Sequence, residues 1–501
     1  MKKNAFIKNI VTGFGGQFIA IILGIIIPKI FISSYGSDAN GLLGTISQIF
    51  TYMALLEAGI GQAAKNALFK PFHENNKDDI ITIASTAKKY YKKFTIIYGI
   101  CVFALAFILP LLLNTNVDTK TVFLIIIFEG MGGVISFYYI TTSTVILAVD
   151  GRNYVNNGIN LLNKIIGYIV KIVMATFGFS IALLQFVYFL ITVVKVFFYN
   201  NYFKKHYPWI KYKRVPSTMK LADRNSYVIT EIATTVFNST AMIVLSMFLS
   251  TQIASVYSIY NMIYSNIHFL VNSVYFSIVY ILGHAYHANL KKYEIVHDIF
   301  TSMFLGVMTS LMSVCYVLAI PFVTLYTNGV NDVNYIQPTL PVLFSLVQIL
   351  SWSRYVNGNL TCVAGYAKQT SYVSLIEAIM NIVLSVILVK KMGIVGVLLA
   401  AVISLPIKVI WCIYIADKKI MKRPYLKTIS ILGVNYLFFA CVVLLSQLFK
   451  PSVSSYLEFF VWGVCLLVFF LIVVMGINFL VNRDCWDMTK KYILSKQMVK
   501  F

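Results

Sequence analysis

Acidic residues are scarce in this chain. Asp and Glu total 18 against 41 Lys and Arg, which gives a formal net charge of +23. Charge of either sign is thin, at 12% of 501 residues, while 59% are hydrophobic. With a mean hydropathy of +0.79, a soluble globular domain is excluded. The basic excess is therefore not the footprint of a nucleic-acid-binding domain. Cysteine is sparse too. The seven (Cys101, Cys315, Cys362, Cys412, Cys441, Cys465 and Cys485) are scattered, and no two have metal or disulfide spacing. They read as small buried apolar residues. No Walker sequence is present, so the chain does not hydrolyse ATP. Neither side of the expected membrane topology has a loop large enough for a catalytic domain, and no paired catalytic His and Asp stand out, so the chain reads as a non-enzyme. Gly283-His284-x-x-His287 lacks a third ligand. The glycines at Gly13, Gly15 and Gly16 follow no strand and suit close helix packing. No small-residue cleavage site follows the first apolar run, so Val11 to Ile32 reads as a retained span.

What is abundant is long apolar sequence. The runs are continuous rather than alternating, which excludes a barrel and leaves helices as the structure that satisfies the backbone in lipid. About 14 runs are near the ~20 residues needed to cross. They fall at approximately 11–33, 41–64, 92–113, 121–147, 154–177, 179–202, 228–249, 254–282, 298–326, 340–362, 369–389, 394–415, 428–449 and 457–481. The basic residues cluster in alternate loops. Lys2, Lys3 and Lys8, the Lys65–Lys93 group, Lys204 to Arg224, Lys291 and Lys292, Lys418 to Lys427 and the tail all fall on one side. By the positive-inside rule that side, with both termini, is cytoplasmic. The chain is expected in a cytoplasmic membrane, surrounded by its lipids.

An internal repeat organises these spans. VDGRNY, a polar-striped helix and GFSIALL (from Gly178) in the first half match VAGYAK, a second striped helix and GIVGVLL (from Gly393) in the second. The expected fold is all-α and polytopic: two pseudo-symmetric six-helix bundles in the same orientation plus a C-terminal helix pair. The expected boundaries are 1–203 for the first bundle, 204–227 for a basic cytoplasmic linker, 228–417 for the second bundle and 418–501 for the terminal pair with its basic tail. Parallel repeats facing each other are a transporter architecture.

Charge inside the spans marks the candidate site. Asn153, Asn157, Asn160, Lys164, Tyr168 and Lys171 recur at i, i+4, i+7, i+11, i+15 and i+18, one helical stripe roughly 90° wide. A Lys near the bilayer centre costs roughly 2.5–3.5 kcal/mol, so it faces protein or water. Lys164 lies near mid-span. Lys171 is nearer the outer edge, where snorkelling is the competing reading. In the second copy, Thr370, Ser374, Glu377, Asn381 and Ser385 repeat the spacing, with Glu377 opposite Asn160 and Asn381 opposite Lys164. Arg354 lies deep in the tenth span and suits a phosphate; a structural pair with Glu377 is the alternative. Tyr257, Asn261 and Tyr264 share a face of the eighth span, which suits sugar contacts or, equally, helix packing. Glu57, Glu231 and Glu377 are carboxylates able to pair with a lysine or to bind a coupling Na⁺ or H⁺. No metal or other cofactor is implied.

The run from Tyr35 to Phe72, with LLEAGIGQA at Leu55 to Ala63, and VYSIYNMI at Val256 to Ile263, resembles bacterial polysaccharide-biosynthesis flippases. These belong to the multidrug/oligosaccharidyl-lipid/polysaccharide exporter (MOP) superfamily. The resemblance implies two six-helix bundles around a central cavity. It also implies alternating-access flipping of undecaprenyl-pyrophosphate-linked oligosaccharide repeat units for surface polysaccharide, alongside other polysaccharide-assembly proteins. In that picture Lys164, Lys171 and Arg354 neutralise the pyrophosphate, while Asn157, Asn160, Tyr257, Asn261 and Tyr264 contact sugars. Some superfamily members carry an acidic residue in the seventh span. This chain has Thr240 and Ala241 in that region, so that role is not carried over. The rival readings are a cation-coupled multidrug exporter of the same superfamily and a membrane enzyme that polymerises or modifies polysaccharide.

Overall fold

A computed structural model describes residues 3–55, 57–212, 225–447, 451, 453–482 and 486. The last part of the basic linker, the distal tail and the side chains of His284 and His287 lie outside the described residues. In the first half, α1 (Lys3–Ala54), α2 (Ala58–His73), α3 (Lys77–Leu112), α4 (Thr119–Ile135), α5 (Thr141–Val149), α6 (Asn153–Thr176) and α7 (Ile181–His206) follow in order. The second half contains α8 (Asn225–Phe248), α9 (Thr251–Ala288), α10 (Leu290–Tyr326), α11 (Leu340–Ser353), α12 (Tyr355–Val363), α13 (Ala367–Ile413), α14 (Leu426–Leu445) and α15 (Tyr456–Val481). Among the described residues there is no strand.

Each of the fourteen expected spans coincides with helix. Among the described residues ten continuous helical segments are long and apolar enough to cross a membrane. Two fusions and one break account for three of the four fewer; α9 is continuous but is not among the ten. The first two spans join in α1, which breaks at Gly36 (φ 81°, ψ 169°), and the eleventh and twelfth join in α13, which breaks at Gly393 (φ 58°, ψ −133°). Both breaks use a positive φ that side chains rarely adopt. The tenth span is divided at Arg354 into α11 and α12.

The backbone carries the sequence repeat. After α5 the amides of Asp150, Gly151 and Arg152 donate to the carbonyls of Ile146, Ala148 and Leu147. After α12 the amides of Ala364, Gly365 and Tyr366 donate in the same pattern to Leu360, Cys362 and Thr361. Gly151 (φ 73°) and Gly365 (φ 90°) supply the left-handed residue this helix ending requires. The fourth span of each repeat is also interrupted at one place. Between α4 and α5 a π-helical turn covers Ser136–Ile140, and its last residue stands eleven before Gly151, as Arg354 stands eleven before Gly365. π turns and mid-helix breaks are frequent at functional positions.

The chain divides into two compact units, residues 1–255 and 256–501. The first runs beyond the expected bundle end at 203 because α8 is clasped to α1. The Tyr52 hydroxyl donates to the Val236 carbonyl (2.9 Å) and meets the Thr240 hydroxyl at 2.6 Å. Ser239 donates to Gln48 Oε1 (2.7 Å), and Thr45 meets Ser246 (2.5 Å). Hydroxyl and amide contacts of this kind join membrane helices because lipid offers polar groups no alternative partner. The start of α9 is held to the same unit. The Asp38 carboxylate accepts from the Thr115 hydroxyl (3.1 Å), the Asn116 amide (2.6 Å) and the Thr251 hydroxyl. Asn40 donates to Ser255 (2.8 Å). The core of this unit gathers Leu42, Ile46, Val102, Ile125, Ile126 and Leu184.

In the second unit the terminal pair is fixed by polar contacts. Asn435 and Asn478 exchange amide hydrogen bonds (3.1 and 3.4 Å), and Asn482 donates to Ser302 (3.0 Å). Just before α14, Arg423 grips Asp298 of α10 with two nitrogens (2.8 and 2.7 Å) and Asp417 with Nε (2.7 Å), while Lys427 approaches Asp298 at 3.0 Å. Two carboxylates against two cations balance this cluster. Burial alone would make it costly, and the forked geometry offsets that cost.

A side chain at Gly41 would overlap the carbonyl oxygen of Thr251, whereas one at Gly24, on the same helix, meets nothing within 4 Å. We expect Gly41→Leu to lower the melting temperature of the detergent-solubilised protein by several degrees and Gly24→Leu to leave it unchanged. Equal effects would show that α1 and the start of α9 do not approach as described.

Candidate functional site

The stripe on α6 separates into residues with different surroundings. Lys164 is exposed, and among the described residues it has no carboxylate partner. Asn157 and Asn160 lie half-buried on the same face. Asn160 donates to Asn156 Oδ1 (3.0 Å), Asn156 donates to Asn153 Oδ1 (3.2 Å), and the Tyr199 hydroxyl caps the ladder at Asn156. Lys171 is held differently. Its ammonium lies 4.0 Å from the centre of the Tyr188 ring and 6.0 Å from that of Phe31, with Glu129 of α4 as counter-charge. Gly167 lets that ring approach, since a Cβ there would stand 2.7 Å from it. Cation–π contact and a carboxylate settle the charge inside the protein. Lys171 thus belongs to packing rather than to a free cationic wall or to snorkelling.

In the second unit Arg354 caps the break between α11 and α12, and its Nη1 meets Glu377 Oε1 at 2.5 Å. Glu377, on the first half of α13, is 3% exposed. The pairing considered from the sequence is therefore the one found. Arg354 is not a free cation, and Glu377 is not a free carboxylate. A third charge stands beside them. Lys408, on the second half of α13, interacts electrostatically with both Arg354 and Glu377. Arg354 alone lies within ion-pair distance of the carboxylate, and the Lys408 charge acts on the pair from further away. Nearby, Asn381 reaches Ser404 at 3.5 Å.

The tyrosine face of α9 is packing. The Tyr264 hydroxyl donates to the Pro341 carbonyl (3.0 Å) and receives from Ser345 (3.2 Å), while its ring stacks on Phe344. Tyr257 is 7% exposed against the same Phe344. These two rings are covered at the α9–α11 contact. Asn261 remains half-buried. His268, a turn beyond Tyr264, joins Gln348 (2.8 Å) and the Tyr355 hydroxyl (3.4 Å) next to Arg354. In the first unit Glu57 lies between Tyr91 and Lys65 and faces Glu231, which is exposed on α8. Thr240 is occupied by Tyr52. At the turn before α6, Arg152 pairs with Asp150 (3.0 Å), and Tyr207 donates to the same carboxylate (2.5 Å). Burial and then that bond push the Tyr207 phenol well above its usual range. Among the described residues no three His, Cys, Asp or Glu converge on a metal position.

Two lysines went unmarked by the stripe pattern. Lys195 stands fourteen residues after Ile181, the first residue of α7, and Lys408 stands fourteen after Ile394, which follows the Gly393 break. Each is the lone charge in an apolar run, in TVVKVFF and LPIKVIW. That isolation at matched depth in the sixth span of both repeats was the available signal.

No family model matches the chain, and no curated protein sequence matches it. Solved structures do. A lipid II flippase, MurJ, in an inward closed conformation superposes with a TM-score of 0.67 over 94% of this chain and 99% of that one, at 14% identity. An inward-facing multidrug resistance transporter of the MATE family, within the MOP superfamily, gives 0.59 over 78% and 93% at 15% identity. A MOP superfamily transporter from Pyrococcus furiosus, described by the reversed polarity of its binding pocket, gives 0.52 over 84% and 96% at 12% identity. The fold is thus the polytopic all-α fold of these transporters.

Because the Lys408 charge still acts on Glu377 when Arg354 is removed, Arg354→Leu leaves part of the attraction, whereas Glu377→Leu leaves two cations without a carboxylate. Breaking a buried pair costs about 3–5 kcal/mol. We expect the melting temperature in detergent to fall further for Glu377→Leu than for Arg354→Leu; the reverse order would rule out a role for Glu377 in balancing both cations.

Proposed function

We propose that the chain is a flippase for an undecaprenyl-pyrophosphate-linked oligosaccharide in the cytoplasmic membrane, working by alternating access with both termini cytoplasmic. The observation that carries this reading is the charge left over inside the spans. Lys171 and Arg354 are settled within the protein, but among the described residues neither Lys164 nor Lys408 forms an ion pair with a carboxylate. A cation inside a membrane span without its own anion is costly unless it faces water or a ligand that supplies the anion. A diphosphate supplies it, and the apolar polyprenyl chain keeps to lipid while the head group crosses.

In this reading Lys164 and Lys408 hold phosphate oxygens, and Asn157, Asn160 and Asn261 bond sugar hydroxyls. Coupling to Na⁺ or H⁺ falls to Glu57 and Glu231, whose mutual repulsion favours uptake of a cation between them. Glu377 is committed to Arg354. The same two carboxylates would serve a multidrug exporter. That reading gives no use for Lys164, because a positively charged drug would be repelled by it.

A charge-assisted hydrogen bond contributes about 1.5–3 kcal/mol, so losing one slows transport about ten-fold or more. We expect Lys164→Glu and Lys408→Glu each to abolish surface polysaccharide in a complemented deletion strain at normal protein level, with Lys164→Arg retaining it. Normal polymer with both glutamate variants, or sensitivity to cationic drugs in the deletion strain as its sole defect, would overturn the assignment.

A further inference from the structure

Between α6 and α7 a cavity of about 110 Å³ opens through apolar side chains, with Leu162 and Ile166 on one side and Val194 and Phe198 on the other. All four are exposed, so the cavity is continuous with the apolar outer surface of both helices. Two polar residues interrupt the lining, Asn163 and Lys195. Lys195 has no carboxylate partner among the described residues, and Lys164, the nearby charge acting on it, is of like sign. A lysine within a span and without a carboxylate of its own can take an anion from outside the chain.

The direction of the groove points to the occupant. Along α7 the chain runs toward the cytoplasmic side, and Lys195 precedes the polar pair Asn200 and Asn201 by five residues, about 8 Å along a helix. A lysine stem spans much of that distance to the inner-leaflet head groups. The slot is lined on both sides of Lys195, by Phe198 and Ile159 toward the cytoplasmic end and by Ile191 and Ile166 toward the membrane centre. A cation set among apolar side chains and within stem's reach of the head groups matches one lipid molecule, its phosphate drawn to the lysine and a chain lying along the slot. Typical pockets for whole small ligands hold about 300–1,000 Å³. This slot is far smaller and suits part of one hydrocarbon chain, not a sugar. Basic positions between membrane helices on the cytoplasmic side are favoured seats for anionic lipid head groups.

We propose that the α6–α7 groove seats an anionic phospholipid of the cytoplasmic leaflet, its phosphate on Lys195 and one acyl chain along Leu162, Ile166 and Val194. This resident lipid is distinct from the transported molecule. The stripe residue Lys164 lies on another face of α6 from Leu162 and Ile166, so the two positions are separable by mutation.

Native mass spectrometry of the full-length protein in detergent, titrated with phosphatidylglycerol and phosphatidylcholine, tests this. One phosphatidylglycerol is expected to be held about five-fold more tightly than phosphatidylcholine, the preference one lysine confers at a membrane surface. Lys195→Met removes the preference, Lys195→Arg keeps it, and Val194→Trp, which fills an already exposed edge of the slot, weakens both lipids. Lys164→Met leaves the preference in place, so loss of lipid binding and loss of transport can be told apart. The proposal is overturned if Lys195→Met retains the preference, if neither lipid is preferred, or if undecaprenyl diphosphate occupies the slot and phosphatidylglycerol does not.

Discussion

A charge taken out of bulk water, into membrane or protein, must find an anion, a ring or water, and this one constraint sorts the chain. Arg423 finds Asp298 and Asp417. Lys171 finds Tyr188 and the field of Glu129. Arg354 finds Glu377. Each solution fixes helices to one another: α13 and α14 to α10, α6 to α7, and α13 to the break between α11 and α12. The charges that hold the fold together are the ones the protein has neutralised itself. Those without a carboxylate ion pair among the described residues, Lys164, Lys195 and Lys408, are the ones open to an anion from outside.

The repeat shows how the two halves can share a frame and differ in chemistry. Gly151 and Gly365 close the same hydrogen-bonded turn, and the preceding span breaks eleven residues earlier in both. Backbone geometry is therefore common to the copies. At the break itself the first copy places Ile140 and the second places Arg354. One stripe carries Lys164 where the other carries Asn381, which is tied to Ser404. Among the described residues the first unit thus offers a cation without a carboxylate partner, while the second pairs its carboxylate with Arg354.

The helices were legible in the sequence because continuous apolar runs and basic loops are direct consequences of the bilayer. The turn glycines were legible because only glycine accepts their positive φ readily. The site was less so. Periodicity placed Lys164 and Lys171 on one stripe, but periodicity reports direction and not neighbours, and the neighbours of Lys171 come from α1, α4 and α7. The same limit applies to Tyr257 and Tyr264, whose face turned out to be covered by Phe344 of α11. Arg354 and Glu377 are 23 residues apart on different helices, so their pairing depended on tertiary structure. Lys195 and Lys408 belonged to no stripe and stood out only by their isolation.

The central claim is that the uncompensated cations exist for an anionic head group. Transport by the purified protein in liposomes tests it most directly, using one oligosaccharide on two carriers, polyprenyl diphosphate and the uncharged polyprenol. The account predicts that the diphosphate-linked form is moved across the bilayer and the uncharged form is not. Equal movement of both, or movement of neither alongside export of a cationic drug, would contradict it.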